Sequence, residues 1–207
     1  SALVEVFAQM ILDQLGLPRV NNIISTGGRF LILAYNTPEA EECLKRLRRR
    51  ISSWLLKEYQ GELALNLEWV PVSPRGFESG AVSETFDRVA AAIERAKKQK
   101  FKDAFLELES PYLGPEEYRA GVCQSCGKGE AVISKGGYRL CKWCDVDERI
   151  GGQLTRSGYL AITREPIRKP GVEHIQVLDD DPYFVVPLRD PSELPEKPHL
   201  LLSISST

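Results

Sequence analysis

Four of the five cysteines of this chain fall in one pattern, Cys123-x2-Cys126-x14-Cys141-x2-Cys144. No other feature limits the possible folds as tightly. Each Cys-x-x-Cys knuckle lets two thiolates face one ion from a tight turn, and Gly127 and Gly129 sit where such a turn needs them. The spacer holds Ile133, Gly136-Gly137 and Tyr138, which reads as a short hairpin. Four thiolates fill a tetrahedral Zn²⁺ shell and leave no open position, so the expected site is structural, a zinc ribbon. No apolar leader is visible, and paired knuckles then point to metal in a reducing compartment rather than to disulfides. The local apolar set is small (Val132, Ile133, Tyr138, Leu140 and Trp143), so the metal is expected to support folding of the ribbon. Cys43 lies 80 residues away beside the apolar stripe of a helix and reads as a buried thiol.

The rest of the chain reads as mixed α and β. Leu3, Phe7 and Ile11 recur at helical spacing over residues 3–15, and Gly16 and Pro18 end that helix. Two β-prone runs, Asn22 to Thr26 and Arg29 to Leu33, flank Gly27-Gly28 and predict a hairpin. Phe30 to Tyr35 is apolar on both faces, which predicts a strand buried on both sides. Thr37-Pro38 supplies an N-cap and a first-turn proline for a long helix with Ala40, Leu44, Leu47, Ile51, Trp54 and Leu55 on one face. Leu63, Leu65, Leu67 and Trp69 alternate with polar or smaller neighbours and predict a strand. A second long helix is expected from Ser83 to about Phe105. A linker follows over 110–122, with Pro111, Gly114, Pro115 and Gly121. Residues 158–207 are punctuated by proline and rich in β-formers. The longest apolar run is only Phe30 to Tyr35, too short to cross a membrane.

Outside the cysteines the chemistry is sparse. A hairpin tip made of two glycines lets main chain approach a phosphate or base closely, although a plain turn explains the motif as well. Lys45 to Arg50 and Arg95 to Lys102 are basic clusters in a chain of net charge −2. They read as solvated faces balanced by Glu39, Glu41 and Glu42, with RNA or partner contact as the other reading. His174 and His199 stand apart and read as structural. Asp179-Asp180-Asp181-Pro182 reads as a solvated turn, because consecutive aspartates do not converge on one ion without a bend.

Gly16-Leu17-Pro18, then Asn22 to Phe30 with its Ser25-Thr26-Gly27-Gly28 tip, resembles the first palm domain of the large subunit of type III-A CRISPR effector complexes. Leu67 to Val72, Lys97 to Phe105 and the paired knuckles follow in the order of that family, over residues 1 to about 165. The resemblance implies an α+β fold. A ferredoxin-like palm core would occupy residues 1–82, a helical insertion and linker 83–120, the zinc ribbon 121–148 and a β-rich segment 149–207. It implies structural zinc on Cys123, Cys126, Cys141 and Cys144, and ATP as a ligand of the intact subunit, contacted by Ser25, Thr26, Gly27 and Gly28. It also implies other effector subunits as partners, CRISPR RNA and target RNA indirectly, no membrane, and the prokaryotic cytoplasm. The chain has no His-Asp dipeptide and no Gly-Gly-Asp-Asp, and Arg29 and Phe30 stand where an active hairpin would carry carboxylates. It is therefore expected to be inactive alone, an excised fragment lacking the first palm strand. A stand-alone zinc-ribbon protein that binds nucleic acid is the alternative.

Overall fold

The computed structural model describes residues 2–107, 117–194 and 198–204. The chain divides into two compact units, Ala8–Tyr112 and Ser1–Phe7 with Leu113–Thr207. Helix α1 (Ala2–Gln14) opens the chain and runs through the division. The expected linker residues Pro111, Gly114 and Pro115 lie outside the described residues.

In the first unit the expected hairpin forms, with β1 (Asn22–Thr26) antiparallel to β2 (Arg29–Ile32) and Thr26 opposite Arg29. Helix α2 (Pro38–Tyr59) starts as its sequence demands: the Thr37 hydroxyl accepts the Ala40 N–H at 3.3 Å, and Pro38 occupies the first turn. Its stripe of Ala40, Leu44, Leu47, Ile51, Trp54 and Leu55 is buried. Cys43 is buried too, its thiol facing the Gln14 carbonyl at 3.8 Å.

Three expectations fail here. The strand beginning at Phe30 is not buried on both faces: Leu33 is 46% exposed and Tyr35 57%. The strand ends at Ile32 and its residues are at most half-buried, so the apolar run continues past it into exposed chain. Residues 63–70 form no strand, because alternation supplies only a face, and a strand also needs a neighbour to complete its ladder. Leu67 is nonetheless buried. The second long helix breaks in two, α3 (Val82–Lys97) and α4 (Lys102–Glu107), with Phe101 at φ 59° between them. A left-handed residue cannot continue a right-handed helix. The break turns Asp103 toward α2. There Arg48 Nε donates to Asp103 Oδ2 at 2.7 Å and Nη1 donates to Glu68 Oε1 at 3.0 Å. The same guanidinium lies over the Trp69 ring at 5.1 Å. Lys45 pairs with Glu41 and Arg49 with Glu42. Much of the first basic cluster is thus internally neutralised.

The second unit carries a hairpin of β3 (Ile133–Lys135) and β4 (Tyr138–Leu140), helix α5 (Lys142–Leu154), and an antiparallel sheet in the order β6-β7-β5-β8. The strands are β5 (Tyr159–Thr163), β6 (Ile175–Val177), β7 (Tyr183–Leu188) and β8 (Leu200–Ser203). All six β7 residues are buried, so both faces of this sheet are covered. One face packs Ala161, Phe184, Val186 and Leu188 with Ile167. Pro187 is tolerated inside β7. The Leu188 carbonyl points at β5, where it accepts the Gly158 N–H, so Pro187 faces the other way, beyond the end of β6 at its Val185 partner. Helix α5 was not anticipated, and it runs across residue 148, the expected end of the ribbon. Among the described residues no helix is long and apolar enough to cross a membrane.

Candidate metal centre

The ribbon is assembled by main-chain bonds before any metal is considered. Cys123 N–H donates to the Gly129 carbonyl at 2.8 Å and Gly127 N–H to the Cys123 carbonyl at 2.9 Å, closing the first knuckle. The knuckle is pinned to β4 twice. Gln124 N–H donates to the Arg139 carbonyl at 2.9 Å, and Arg139 N–H donates to Gln124 Oε1 at 2.7 Å. The second knuckle is the start of α5: Cys141 is its N-cap, its Sγ accepting the Cys144 N–H at 3.5 Å. Gly129 is required by close approach, since a Cβ there would lie 2.7 Å from Cys141 Cβ and 3.0 Å from its Sγ.

The result brings all four sulfurs within 4.8 Å of one another, with Cys126 and Cys141 Sγ 3.9 Å apart and no disulfide formed. Zinc–thiolate bonds of about 2.3 Å place sulfurs about 3.8 Å apart in a tetrahedron, so the donor set fits Zn²⁺ closely. Cys123, Leu140 and Cys141 form a small buried cluster backed by Trp143 and Cys144.

The electrostatics divide the cysteines into two kinds. Burial opposes ionisation of Cys123, yet the N–H groups of Cys126, Cys141 and Ser125 hold its thiol down at about 6. The Gly129 N–H, with that of Lys128, likewise lowers Cys126 against the effect of burial. Burial raises Cys141 and pushes Cys144 up to about 12. Main-chain donors thus favour the thiolate at Cys123 and Cys126, burial opposes it at Cys141 and Cys144, and a cation held among the four sulfurs favours it at all of them. Among the described residues this is the only cluster of three or more metal-ligating side chains.

The other expected site residues lie elsewhere. Ser25 and Thr26 end β1 and are exposed. Gly27 (φ 58°) and Gly28 (φ 78°) make the turn with both residues left-handed, and nothing lies within 4 Å of where their Cβ atoms would be. Arg29 follows, close enough to Glu94 of α3 to add to the effect of Lys97 in lowering that carboxyl. The acidic run is a bend in which Asp181 (φ 56°) pairs with Arg164, and Arg164 also lies 4.0 Å from the Tyr183 ring centre. His174 and His199 make edge contacts with Phe184 and Tyr183. Sequence reasoning missed that Cys141 doubles as a helix cap. The signal was present in the helical spacing of apolar Trp143, Val146 and Ile150 among charged residues, which begins inside the last knuckle.

Residues 1–112 match the family described as Csm1 subunit domain B. Over 152 residues the chain is 30% identical to the CRISPR system single-strand-specific deoxyribonuclease Cas10/Csm1 (subtype III-A) of Thermococcus onnurineus, covering 70% of this chain and 20% of that protein. It resembles the crystal structure of an apo Csm1–Csm4 cassette (TM-score 0.59, 25% identity), covering 90% of this chain and 21% of that one. It likewise resembles a Csm1–Csm4 cassette in complex with one ATP (TM-score 0.59, 26% identity), covering 91% of this chain and 22% of that one. The chain thus spans about a fifth of the length of the relatives it matches.

Proposed function

The chain belongs to the Csm1 family, and from that membership we propose that it forms a non-catalytic part of the large subunit of a type III-A CRISPR effector complex. In this reading the turn between β1 and β2 walls a nucleotide pocket, and the four cysteines hold a structural zinc ion. The observation that carries the nucleotide assignment is the bare tip. Gly27 and Gly28 leave main-chain N–H groups open to phosphate oxygens, and the exposed Ser25 and Thr26 add hydroxyls. A Csm1–Csm4 cassette that binds ATP, similar over most of this chain, supports the ligand class.

Zinc on Cys123, Cys126, Cys141 and Cys144 supplies no reaction chemistry. Four thiolates close its shell, and its charge favours ionisation of Cys141 and Cys144, the two thiols whose ionisation burial opposes. At the positions that directly follow the glycines, where an active hairpin would carry carboxylates, this chain has Arg29 and Phe30. Synthesis of oligoadenylate or cleavage of DNA would then depend on other parts of the subunit. A Csm4-type subunit is the nearest partner, guide and target RNA are reached through the complex, and the setting is the cytoplasm.

The test is Gly28→Val in the full-length subunit. A Cβ at φ 78° is strained and blocks the tip. Oligoadenylate synthesis should fall at least 10-fold while zinc content and complex assembly hold. Unchanged synthesis would reduce the tip to a plain turn.

A further inference from the structure

A cleft of about 510 Å³ opens at one end of the four-stranded sheet, within the unit that holds the four clustered cysteines. Such a volume suits a ligand the size of one nucleotide. The register of the sheet builds it. Tyr159 of β5 pairs with Leu188 of β7, and Gly158 N–H donates to the Leu188 carbonyl at 3.0 Å. That pairing brings Arg156, two residues before Gly158, to the same end of the sheet as Arg189, one residue after Leu188. Lys169 joins them from the connection between β5 and β6, and its Nζ donates to the Glu193 carbonyl at 2.5 Å. All three cations are exposed and line the cleft.

Neither Arg156 nor Arg189 has a side-chain hydrogen bond or ion pair among the described residues. Most other arginines of this unit are engaged: Arg139 with Ala131, Arg149 with Asp145 and Glu173, Arg164 with Asp181. The main-chain carbonyls at the end of α5 and the Gln153 side chain are occupied by other donors. The last carbonyls of α5 are capped, Gly151 by Thr155 N–H, Gly152 by Thr155 Oγ1, Gln153 by Arg156 N–H and Ser157 Oγ, and Leu154 by Ser157 N–H. Gln153 Nε2 donates to the Gly171 carbonyl, and its Oε1 accepts the Glu173 N–H. The negative end of the helix is thereby muted where an anion would have to sit. One carboxylate, Glu193, lines the cleft against three cations, so its formal charge is +2 in a chain of net charge −2.

We infer that this cleft binds a phosphate-bearing ligand, with the Arg156 and Arg189 guanidinium groups on the phosphate and the apolar lining residues Pro170, Val172 and Pro187 beside the attached nucleoside. Guanidinium forks match phosphate oxygens in pairs, and an apolar wall suits a sugar or base better than an acidic peptide. The phosphate has two possible sources, a free nucleotide or one residue of an RNA strand. The inference is independent of the pocket assigned to the glycine turn.

The experiment uses the zinc-loaded 207-residue chain and a fluorescently labelled 12-nucleotide single-stranded RNA, read by anisotropy across a salt series. The Arg156→Gln/Arg189→Gln pair should weaken binding at least 10-fold at low salt. Its slope of log K against log salt should flatten by about 1.4, since each single-strand phosphate contact contributes about 0.7. Glu193→Gln should tighten binding about 2-fold, which keeps the test informative if the double variant misfolds. Displacement of the RNA by AMP at equal phosphate concentration assigns a free nucleotide, and resistance to AMP assigns the strand. No binding of RNA or AMP by the wild-type chain would overturn the inference. So would a well-folded double variant with unchanged affinity and slope. Loss of binding to a polyglutamate peptide with RNA binding unaffected would assign a protein partner and overturn it as well.

Discussion

Gly129→Ala is the smallest change that should open the cysteine centre. The new Cβ would lie 2.7 Å from Cys141 Cβ and 3.0 Å from Cys141 Sγ. Carbon atoms in ordinary contact are about 3.5–4.0 Å apart, so the two segments must part by about 1 Å. Cys141 cannot yield by rotating a side chain. The clash is with its Cβ, and its main chain is held as the cap of α5, with Asp145 N–H on its carbonyl at 3.2 Å. Zinc–ligand distances tolerate about 0.2 Å, so the displacement is roughly five times what the site can absorb. Changes to groups supporting a metal's ligands cost 10–100-fold in affinity, and displacing a ligand should reach the upper end, about 100-fold or 2.7 kcal/mol. Competition for zinc against a chromogenic chelator, with the protein kept reduced, measures this directly. Gly127→Ala is the matched control. Its φ of 69° makes alanine strained, but no atom lies within 4 Å of the new Cβ, so stability should fall by about 1 kcal/mol with zinc affinity within 3-fold of wild type. If Gly129→Ala also stays within 3-fold, the packing of the first knuckle on Cys141 is not what sets the site.

Three further outcomes follow from the geometry. Cys126→Ser should lower zinc in freshly purified protein from one ion per chain to well below half, by elemental analysis; full occupancy would remove Cys126 from the ligand set. Arg48→Met deprives Glu68 and Asp103 of their shared cation, and after allowance for partial exposure should cost about 2 kcal/mol, roughly 8 °C in Tm. A calorimetric shift under 2 °C would show that this cation does not hold residues 63–70 and α4 to α2. His174 is held below its usual 6.5 by burial, helped by Arg149 and opposed by Glu173, and its buried Nδ1 has no hydrogen-bond partner. The folded state therefore refuses a proton that the unfolded chain accepts, so stability present above pH 6.5 is lost as pH falls below it. Unfolding midpoints at pH 5.5 and 7.5 should differ less in His174→Phe than in wild type, at saturating zinc in both; equal differences would refute the assignment.

The cysteine spacing, the Gly27-Gly28 turn and the Thr37-Pro38 helix start were legible because each is a local instruction. A knuckle, a left-handed turn and a capped first turn are written in residues a few positions apart. The same holds for the stripe of α2, whose buried residues are those its period picks out. What failed was non-local. Alternation from Leu63 to Trp69 looks like a strand, but a strand exists only beside another, and no local rule names the neighbour. Phe30 to Tyr35 was apolar enough for a doubly covered strand, yet covering depends on what else packs there. The break at Phe101 and the meeting of Arg48 with Asp103 join residues 55 apart, as no local periodicity could foretell.

The two candidate sites divide along the same line. The ligand set of the metal centre could be named from spacing alone, because four thiolates at two knuckles have little else to do. That Cys141 also caps α5, and that two thiols are primed by amides while two are suppressed by burial, came only from the folded arrangement. The cleft with Arg156 and Arg189 had no sequence signature at all. Its arginines stand 33 residues apart and meet only because the β5–β7 register brings their strand ends together. Sequence by itself determined which residues could bind metal and where the chain must turn, since those depend on neighbours in the chain. Tertiary structure decided which charges are left without partners, since pairing depends on neighbours in space.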